Sequence, residues 1–212
     1  LLILGGTWSD YPQAYKDQFI RDLYYAANVF DEDKQEYKRE RYSLEKEIEL
    51  NMTAKCRIIG LTLETRPDRI TKREIKNFRK YNCTRVQLGI QHIDDSVLKM
   101  NNRNCYTKDT INSLLLLKDN GFKVDTHFMP DLPGSNFELD KEMFNQLLGI
   151  KSLKSNLKEH IFEYELSHPE LQSDQWKIYP TEVTRWTDIK KWYDEGTYKP
   201  YGEDEELMKK LI

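Results

Sequence analysis

Residues 84–134 read TRVQLGIQHIDDSVLKMNNRNCYTKDTINSLLLLKDNGFKVDTHFMPDLPG, and the order of patterns within them decides the fold. RVQLGIQ is a short run of strand type, and TKDTINSLLLLKDN has the length and spacing of a helix. Thr107 stands where it can cap that helix, and Gly121 supplies the left-handed residue that ends it. KVDTHFMPDL then returns to the extended pattern. Strand, helix, strand, with a helix and no two-residue hairpin loop between the strands, predicts parallel strands joined by a crossover helix.

The same alternation extends in both directions. LLILGG, RIIGLTLET and WKIYP are further strand-like runs. YPQAYKDQFIRDLYYAANVF places Tyr15, Phe19, Leu23 and Ala26 or Ala27 at helical spacing, and EYKRERYSLEKEIELNM reads as a charged helix. ITKREIKNFRKYN begins with Thr71 and Glu74 in capping-box register, and Ser135 with Glu138 repeats the pattern before FELDKEMFNQLL. TEVTRWTDIKKWYDEG and DEELMKKLI are helical in pattern. Residues 31–50 and 150–174 look like insertions, the second helical at first and then irregular.

Parallel strands covered on both faces appear as continuous apolar runs, and these five are read that way. Five strands are too few for a closed eight-unit barrel. The expectation is an α/β domain over residues 1–212, built as a partial TIM-like (β/α) barrel or an open doubly wound sheet.

Charged residues make up 33% of the 212 and the net charge is −3, which argues against nucleic-acid binding by overall basicity but leaves room for a local basic face. No apolar stretch approaches the roughly 18–20 residues that span a bilayer, and no signal peptide is written at the start, so an intracellular, cytoplasmic setting without a membrane is expected. Cys56, Cys83 and Cys105 are odd in number and far apart, which supplies neither a disulfide framework nor a close-spaced metal set.

In a parallel α/β array the working residues gather at the carboxyl ends of the strands. Gly5 and Gly6 either make a tight strand-to-loop turn or let a ligand approach the backbone, with Thr7 beside them. Glu64 is either an acceptor for ligand hydroxyls or the partner of Arg66. Gln91 closes its strand, and Arg103 is either the bidentate grip for a carboxylate or a surface cation. His127 is either a satisfied core histidine or a working one. Residues 66–85 carry eight basic side chains against two acidic ones. On that helix Lys72, Lys76, Arg79 and Lys80 share a face opposite Ile75 and Phe78, which is either a solvated surface or a seat for phosphates.

In this order the features resemble the radical S-adenosylmethionine superfamily. The GGT after a first strand, the Glu64 strand end and residues 84–134 are similar to the core shared with oxygen-independent coproporphyrinogen oxidases. IGLTLETRPD, HFMPDLPG and WKIYPTEVTRWTDIKKWYDEGTYKPY resemble the radical core of the Elongator catalytic subunit, which modifies the wobble uridine of tRNA. The resemblance implies that Gly5, Gly6 and Thr7 hold the amino group of S-adenosylmethionine, that Glu64 takes ribose hydroxyls, and that Gln91 and Arg103 reach the ribose and the carboxylate. It makes Lys177 and Tyr179, from the K-x-YP block, candidates for substrate contact.

The implied reaction uses S-adenosylmethionine and a [4Fe-4S] cluster to activate acetyl-coenzyme A for attachment at carbon 5 of uridine 34, giving 5-carboxymethyluridine. The implied partners are the tRNA anticodon loop, met by the basic helix, and other Elongator-type subunits. Another coproporphyrinogen-oxidase-like activity and a non-catalytic tRNA-binding remnant are the alternatives. The family's cluster loop, with its three cysteines, precedes the GGT strand, and Cys56, Cys83 and Cys105 do not have its spacing, so no metal ligand is assigned here. The chain is therefore expected to be an N-terminally truncated fragment, inactive alone, that also stops short of an acetyltransferase domain.

Overall fold

A computed structural model describes residues 1–30, 39–148 and 168–211. The strands are β1 (Leu2–Ile3), β2 (Thr62–Thr65), β3 (Arg85–Gln91), β4 (Lys123–Phe128) and β5 (Gln175–Ile178). The helices are α1 (Gln13–Asn28), α2 (Leu44–Asn51), α3 (Lys72–Lys80), α4 (Asp95–Met100), α5 (Thr107–Asp119), α6 (Phe137–Leu148), α7 (Asp188–Asp194) and α8 (Glu205–Leu211).

All five strands are parallel and lie in the order β1-β2-β3-β4-β5. Each crossover therefore steps the same way round. A doubly wound sheet reverses its order at a switch point, and this one does not, so the partial barrel of the two expected architectures is the one formed.

The reading of the strands as apolar on both faces is corrected. Leu63, Val86, Leu88, Val124 and Phe128 point to one side and are fully buried under the helices. Burial of each such side chain contributes roughly 1.5–3 kcal/mol. The residues between them, Glu64, Gln87, Asp125, His127 and Lys177, share the other face, which is the lumen of the partial barrel. The alternation in RVQLGIQ and KVDTHF was written in the sequence, but a lumen lined by polar groups is what gives it meaning.

Local expectations fare unevenly. Gly121 does adopt the left-handed conformation, with φ +69°. Helix α5 begins at Thr107, whose hydroxyl donates to the Ile93 carbonyl at 2.7 Å, so Thr107 ties the helix to the strand loop instead of capping it. Thr71 accepts from the Glu74 N–H at 3.2 Å, but the Glu74 carboxylate does not return to the cap. It takes the ammonium of buried Lys16 at 3.1 Å and the Asn77 amide at 2.9 Å.

On α1 the buried stripe is Lys16, Ile20 and Tyr24, one position round from the spacing read in the sequence, and Tyr15 is exposed against Tyr11 and Phe19. Before α6 the cap is Asn136, whose side chain accepts from Leu139 N–H at 3.0 Å, while Ser135 bonds Asp140. The charged helix read over 36–52 is helical from Leu44, and its first residues, like residues 150–167 of the second insertion, lie outside the described residues.

Candidate functional site

The lumen opens at the carboxyl ends of the strands, and the first two chain ends to meet there are those of β1 and β2. Gly5 has φ +102° and Gly6 φ +126°, a conformation that a side chain disfavours. A Cβ at either would meet nothing within 4 Å, so backbone geometry and not crowding asks for glycine, and the main chain lies bare. The Gly5 N–H donates to Glu64 Oε2 at 2.9 Å. Thr7, just beyond, uses its carbonyl to start a short 3₁₀ turn over Trp8–Asp10. Of the two readings of Glu64 the ion pair fails: Arg66 turns away and forks onto Asp68, at 2.9 and 3.2 Å.

Gln91 ends β3 with φ +71°, after a bulge between Gly89 and Gln91 that re-aims its side chain. Arg103 sits in a turn between two left-handed asparagines, Asn102 and Asn104, at φ +53° and +48°. Its guanidinium donates to the Gly89 carbonyl. A Cβ on Gly89 would stand 3.0 Å from Arg103 Nη2 and 3.1 Å from Gln91 Nε2, so the absence of a side chain there admits both.

Two polar atoms in this corner are buried without a partner, Gln91 Oε1 and Arg103 Nε. Burial first, and then the Arg66 cation, work against the charge on Arg103 and lower its pKa. A desolvated guanidinium with an orphaned donor beside a like charge calls for an anion. Gln91 and Arg103 line a pocket of about 300 Å³ with Met129, Asp188 and Trp192. Arg103 is thus not a surface cation.

Deeper in the lumen the polar face forms one connected network. Asp125 can only accept, so the Gln87 amide nitrogen faces it at 3.2 Å and Gln87 Oε1 faces the opposite way. That oxygen receives Lys177 Nζ at 2.8 Å and His127 Nε2 at 3.1 Å, which assigns the His127 proton to Nε2. Burial lowers the His127 pKa against the pull of Glu64, and its bare Nδ1 stands 3.6 Å from Glu64 Oε1. Arg85 closes the far end on Asp125. Tyr179 is half-exposed at the rim, edge-on to His127 with centroids 5.5 Å apart. The structure therefore joins Glu64 and Lys177 through His127 and Gln87, with Tyr179 above them.

The basic helix does not join this set. Lys72, Lys76, Arg79 and Lys80 are all exposed, with Ile75 and Phe78 buried as the spacing requires. Arg79 lies over the Phe122 ring at 4.3 Å, beside the amino end of β4, so α3 runs from the mouth toward the opposite edge along the outside. Lys80 is engaged by Asp17 at 3.0 Å and Glu45 at 3.6 Å.

A second buried hub was missed by the sequence reading. Asp140 accepts from Asp131 N–H at 2.6 Å and contacts His92 Nε2 at 3.0 Å, and the Ser135 and Tyr201 hydroxyls also reach it. His92 Nδ1 accepts from the Asp94 N–H at 2.8 Å, so its Nε2 is the donor to Asp140. Asp131, at φ +68°, accepts from Tyr201 N–H and Gly202 N–H. The MPDLP block therefore pins the chain near residue 201 over the mouth.

The bare glycine backbone, a carboxylate for hydroxyls, and an unpartnered amide oxygen and guanidinium N–H fit the groups of S-adenosylmethionine. An iron–sulfur cluster has no such fit among the described residues: no three His, Cys, Asp or Glu stand together to hold a metal. Cys83 is buried with its thiol pushed up to about 12, burial also raises Cys105, and only Cys56 is exposed. No helix among the described residues is long and apolar enough to cross a membrane.

Comparison with known proteins gives the family. The tRNA uridine(34) acetyltransferase of Methanocaldococcus infernus is 36% identical over 207 residues, 98% of this chain and 34% of that protein. Elongator complex protein 3 of Homo sapiens is 34% identical over 213 residues, 100% of this chain and 34% of that protein. The structure of the archaeal Methanocaldococcus infernus Elp3 with its N-terminus (1-46) deleted superposes with a TM-score of 0.78 at 36% identity, over 94% of this chain and 41% of that one. This chain thus spans about a third of the length of the curated relatives it matches. The Radical SAM superfamily model matches residues 12–147, well over half the chain and most of the strand ends described above, and the chain belongs to that superfamily.

Proposed function

We propose that the chain is part of the radical core of a tRNA wobble-uridine modifying enzyme of the Elongator catalytic-subunit type, and that its strand ends bind S-adenosylmethionine. The observation that carries the reading is the pair of unpartnered buried atoms, Gln91 Oε1 and Arg103 Nε, at the end of the strand next to Glu64 and the bare Gly5–Gly6 backbone. Family membership implies S-adenosylmethionine and a [4Fe-4S] cluster, and acetyl-coenzyme A is the proposed acyl source for 5-carboxymethyluridine. When bound, S-adenosylmethionine would supply a carbon-centred radical on one-electron reduction by the cluster, with methionine as the other product.

The chain's own residues bind, orient and shield. The Gly5–Thr7 main chain receives the ammonium, Arg103 the carboxylate, and Glu64 and Gln91 the ribose. Lys177 and Tyr179 face the incoming substrate, with His127 held neutral so that it accepts a proton at Nδ1 and does not repel a cation. Gln87, Asp125 and His127, connected and buried, would keep bulk water from the chemistry that bound S-adenosylmethionine supplies. The anticodon loop would enter from the open side, with unstacked bases presented to the mouth. Lys72, Lys76, Arg79 and Lys80 are the proposed phosphate contacts, and other Elongator-type subunits the proposed protein partners.

The test is nucleoside mass spectrometry of tRNA treated anaerobically with reconstituted full-length protein, S-adenosylmethionine and acetyl-coenzyme A. 5-Carboxymethyluridine at position 34 is expected. Its absence from a preparation that still cleaves S-adenosylmethionine would overturn the substrate assignment.

A further inference from the structure

Trp186 is the most exposed large hydrophobic side chain among the described residues, at 99%, and its backbone lies in the left-handed region at φ +68°. A bulky residue pays a conformational cost there and recovers nothing from burial. Among the described residues nothing therefore gives a reason for an indole at this position.

The place is specific. The loop leaves β5 at the carboxyl edge and is anchored twice on the Pro130 carbonyl, by Thr181 N–H at 3.0 Å and Thr181 Oγ1 at 2.9 Å. On the far side Thr187 donates to the Thr184 carbonyl at 2.8 Å and caps α7 through Lys190 N–H at 3.2 Å. Trp186 is thus held out from a fixed frame. Asp188, two residues on, lines the pocket of Gln91 and Arg103, so the loop that carries the indole leads directly into the wall of the candidate site.

Its surroundings select the ligand. Glu182, Thr184, Arg185, Thr187 and Asp188 are exposed and polar, and the apolar cavity that the same loop helps to line, with Val183, Tyr193, Pro200 and Met208 in its wall, does not include the indole. Arg185 is exposed and, among the described residues, has no acidic partner, whereas Lys190 and Lys191 are paired to Asp194 and Glu195. A single flat ring beside a free guanidinium matches one unpaired base and its phosphate.

We propose that Trp186 is a stacking platform for an unpaired nucleotide of the RNA substrate, with Arg185 meeting the adjoining phosphate. The inference rests on the RNA-modifying reading above and adds to it the contact that holds a base at the mouth.

The test measures binding of a labelled tRNA anticodon stem-loop to full-length protein by fluorescence anisotropy, for wild type and for Trp186→Ala, Trp186→Gly and Trp186→Phe. Alanine and glycine are expected to raise Kd roughly 5- to 100-fold, and phenylalanine to keep most of the affinity. The slope of log Kd against log salt should not change, because stacking releases no counterions. Trp186→Gly should melt at or above the wild-type temperature, since glycine relieves the left-handed backbone, so loss of affinity there is not loss of fold.

If wild type fails to bind the stem-loop, the RNA reading falls and this inference with it. If wild type binds and Trp186→Ala binds equally well, only the stacking role is overturned. Equal RNA affinity with altered self-association in sedimentation would assign the indole to a protein contact and overturn it equally.

Discussion

The Arg66 guanidinium donates to the main-chain carbonyl of Arg103 at 2.9 Å, and with the same group forks onto Asp68. One arginine therefore fixes the turn that carries the other, and its carboxylate partner keeps the first cation in place. Arg66 belongs to the ETRPD block, and nothing in the local pattern of that block shows that it acts on a loop 37 residues away. Replacing Arg66 with alanine frees that turn and leaves Asp68 to compete for Arg103. S-adenosylhomocysteine affinity, measured calorimetrically on full-length protein, should fall about tenfold, the equivalent of roughly 1.4 kcal/mol. Lysine should not restore it, because an ammonium cannot hold the Arg103 and Asn104 carbonyls and a carboxylate in one plane. Unchanged affinity in Arg66→Ala would show that the turn holds its shape without the clamp.

Lys16 and Glu74 form a buried ion pair at 3.1 Å, both side chains under a tenth exposed. Removing one partner strands the other. Lys16→Met is expected to cost about 3–5 kcal/mol in urea unfolding, whereas Lys16→Met with Glu74→Leu should cost much less. A double variant less stable than the single one would mean that Asn77, which donates to Glu74, and the Ser9 carbonyl, 3.5 Å from the Lys16 ammonium, and not the pairing, hold these groups.

This pair also marks where the sequence stopped being informative. The strands and crossover helices were legible because their patterns are local: RVQLGIQ is β3 without adjustment, and Gly121 ends α5 as its type requires. The stripe on α1 was misplaced because Lys16 counts as polar in any periodicity, and what buries it is Glu74, 58 residues away. The same long-range bond took Glu74 from the capping box. Likewise Glu64, Gln91 and Arg103 could be picked out as strand-end residues, but the bulge that turns Gln91 and the clamp on Arg103 depend on neighbours from other crossovers. The His92, Asp131 and Asp140 hub was invisible for that reason, since none of the three lies in a spacing that suggests a cluster.

The four cations of α3 are not equivalent. Arg79 packs on Phe122 and Lys80 is held by Asp17 and Glu45, while Lys72 and Lys76 have no ion-pair partner among the described residues. Lys72→Glu with Lys76→Glu should leave the melting temperature within a few degrees and reduce the salt slope of tRNA binding by about 1–2. Arg79→Glu with Lys80→Glu should destabilise the fold through the lost contacts. A salt slope that does not move in the first variant would remove this face from the RNA path.

Asp131 titrates in an accessible range. Burial pushes its carboxyl up to about 6, against the opposing bonds from Gly202 and Tyr201 N–H. Its ordinary value in an unfolded chain is about 3.9, so between those two values the folded protein binds the extra proton. Folding stability from this group is therefore fully present below about pH 4 and is lost as pH rises through about 6. The neighbouring Asp140 has the opposite sign: its hydrogen bonds hold it below the usual carboxylate range, and its contribution is lost in acid. Urea unfolding at pH 5 and pH 7 should show wild type gaining, relative to Asp131→Asn, about 1–2 kcal/mol at the lower pH. The asparagine variant gives up one of the two N–H acceptor sites and should be weaker at pH 5, but without that dependence. Parallel pH profiles for the two proteins would mean that Asp131 stays ionised in the folded state, its two backbone donors outweighing its burial.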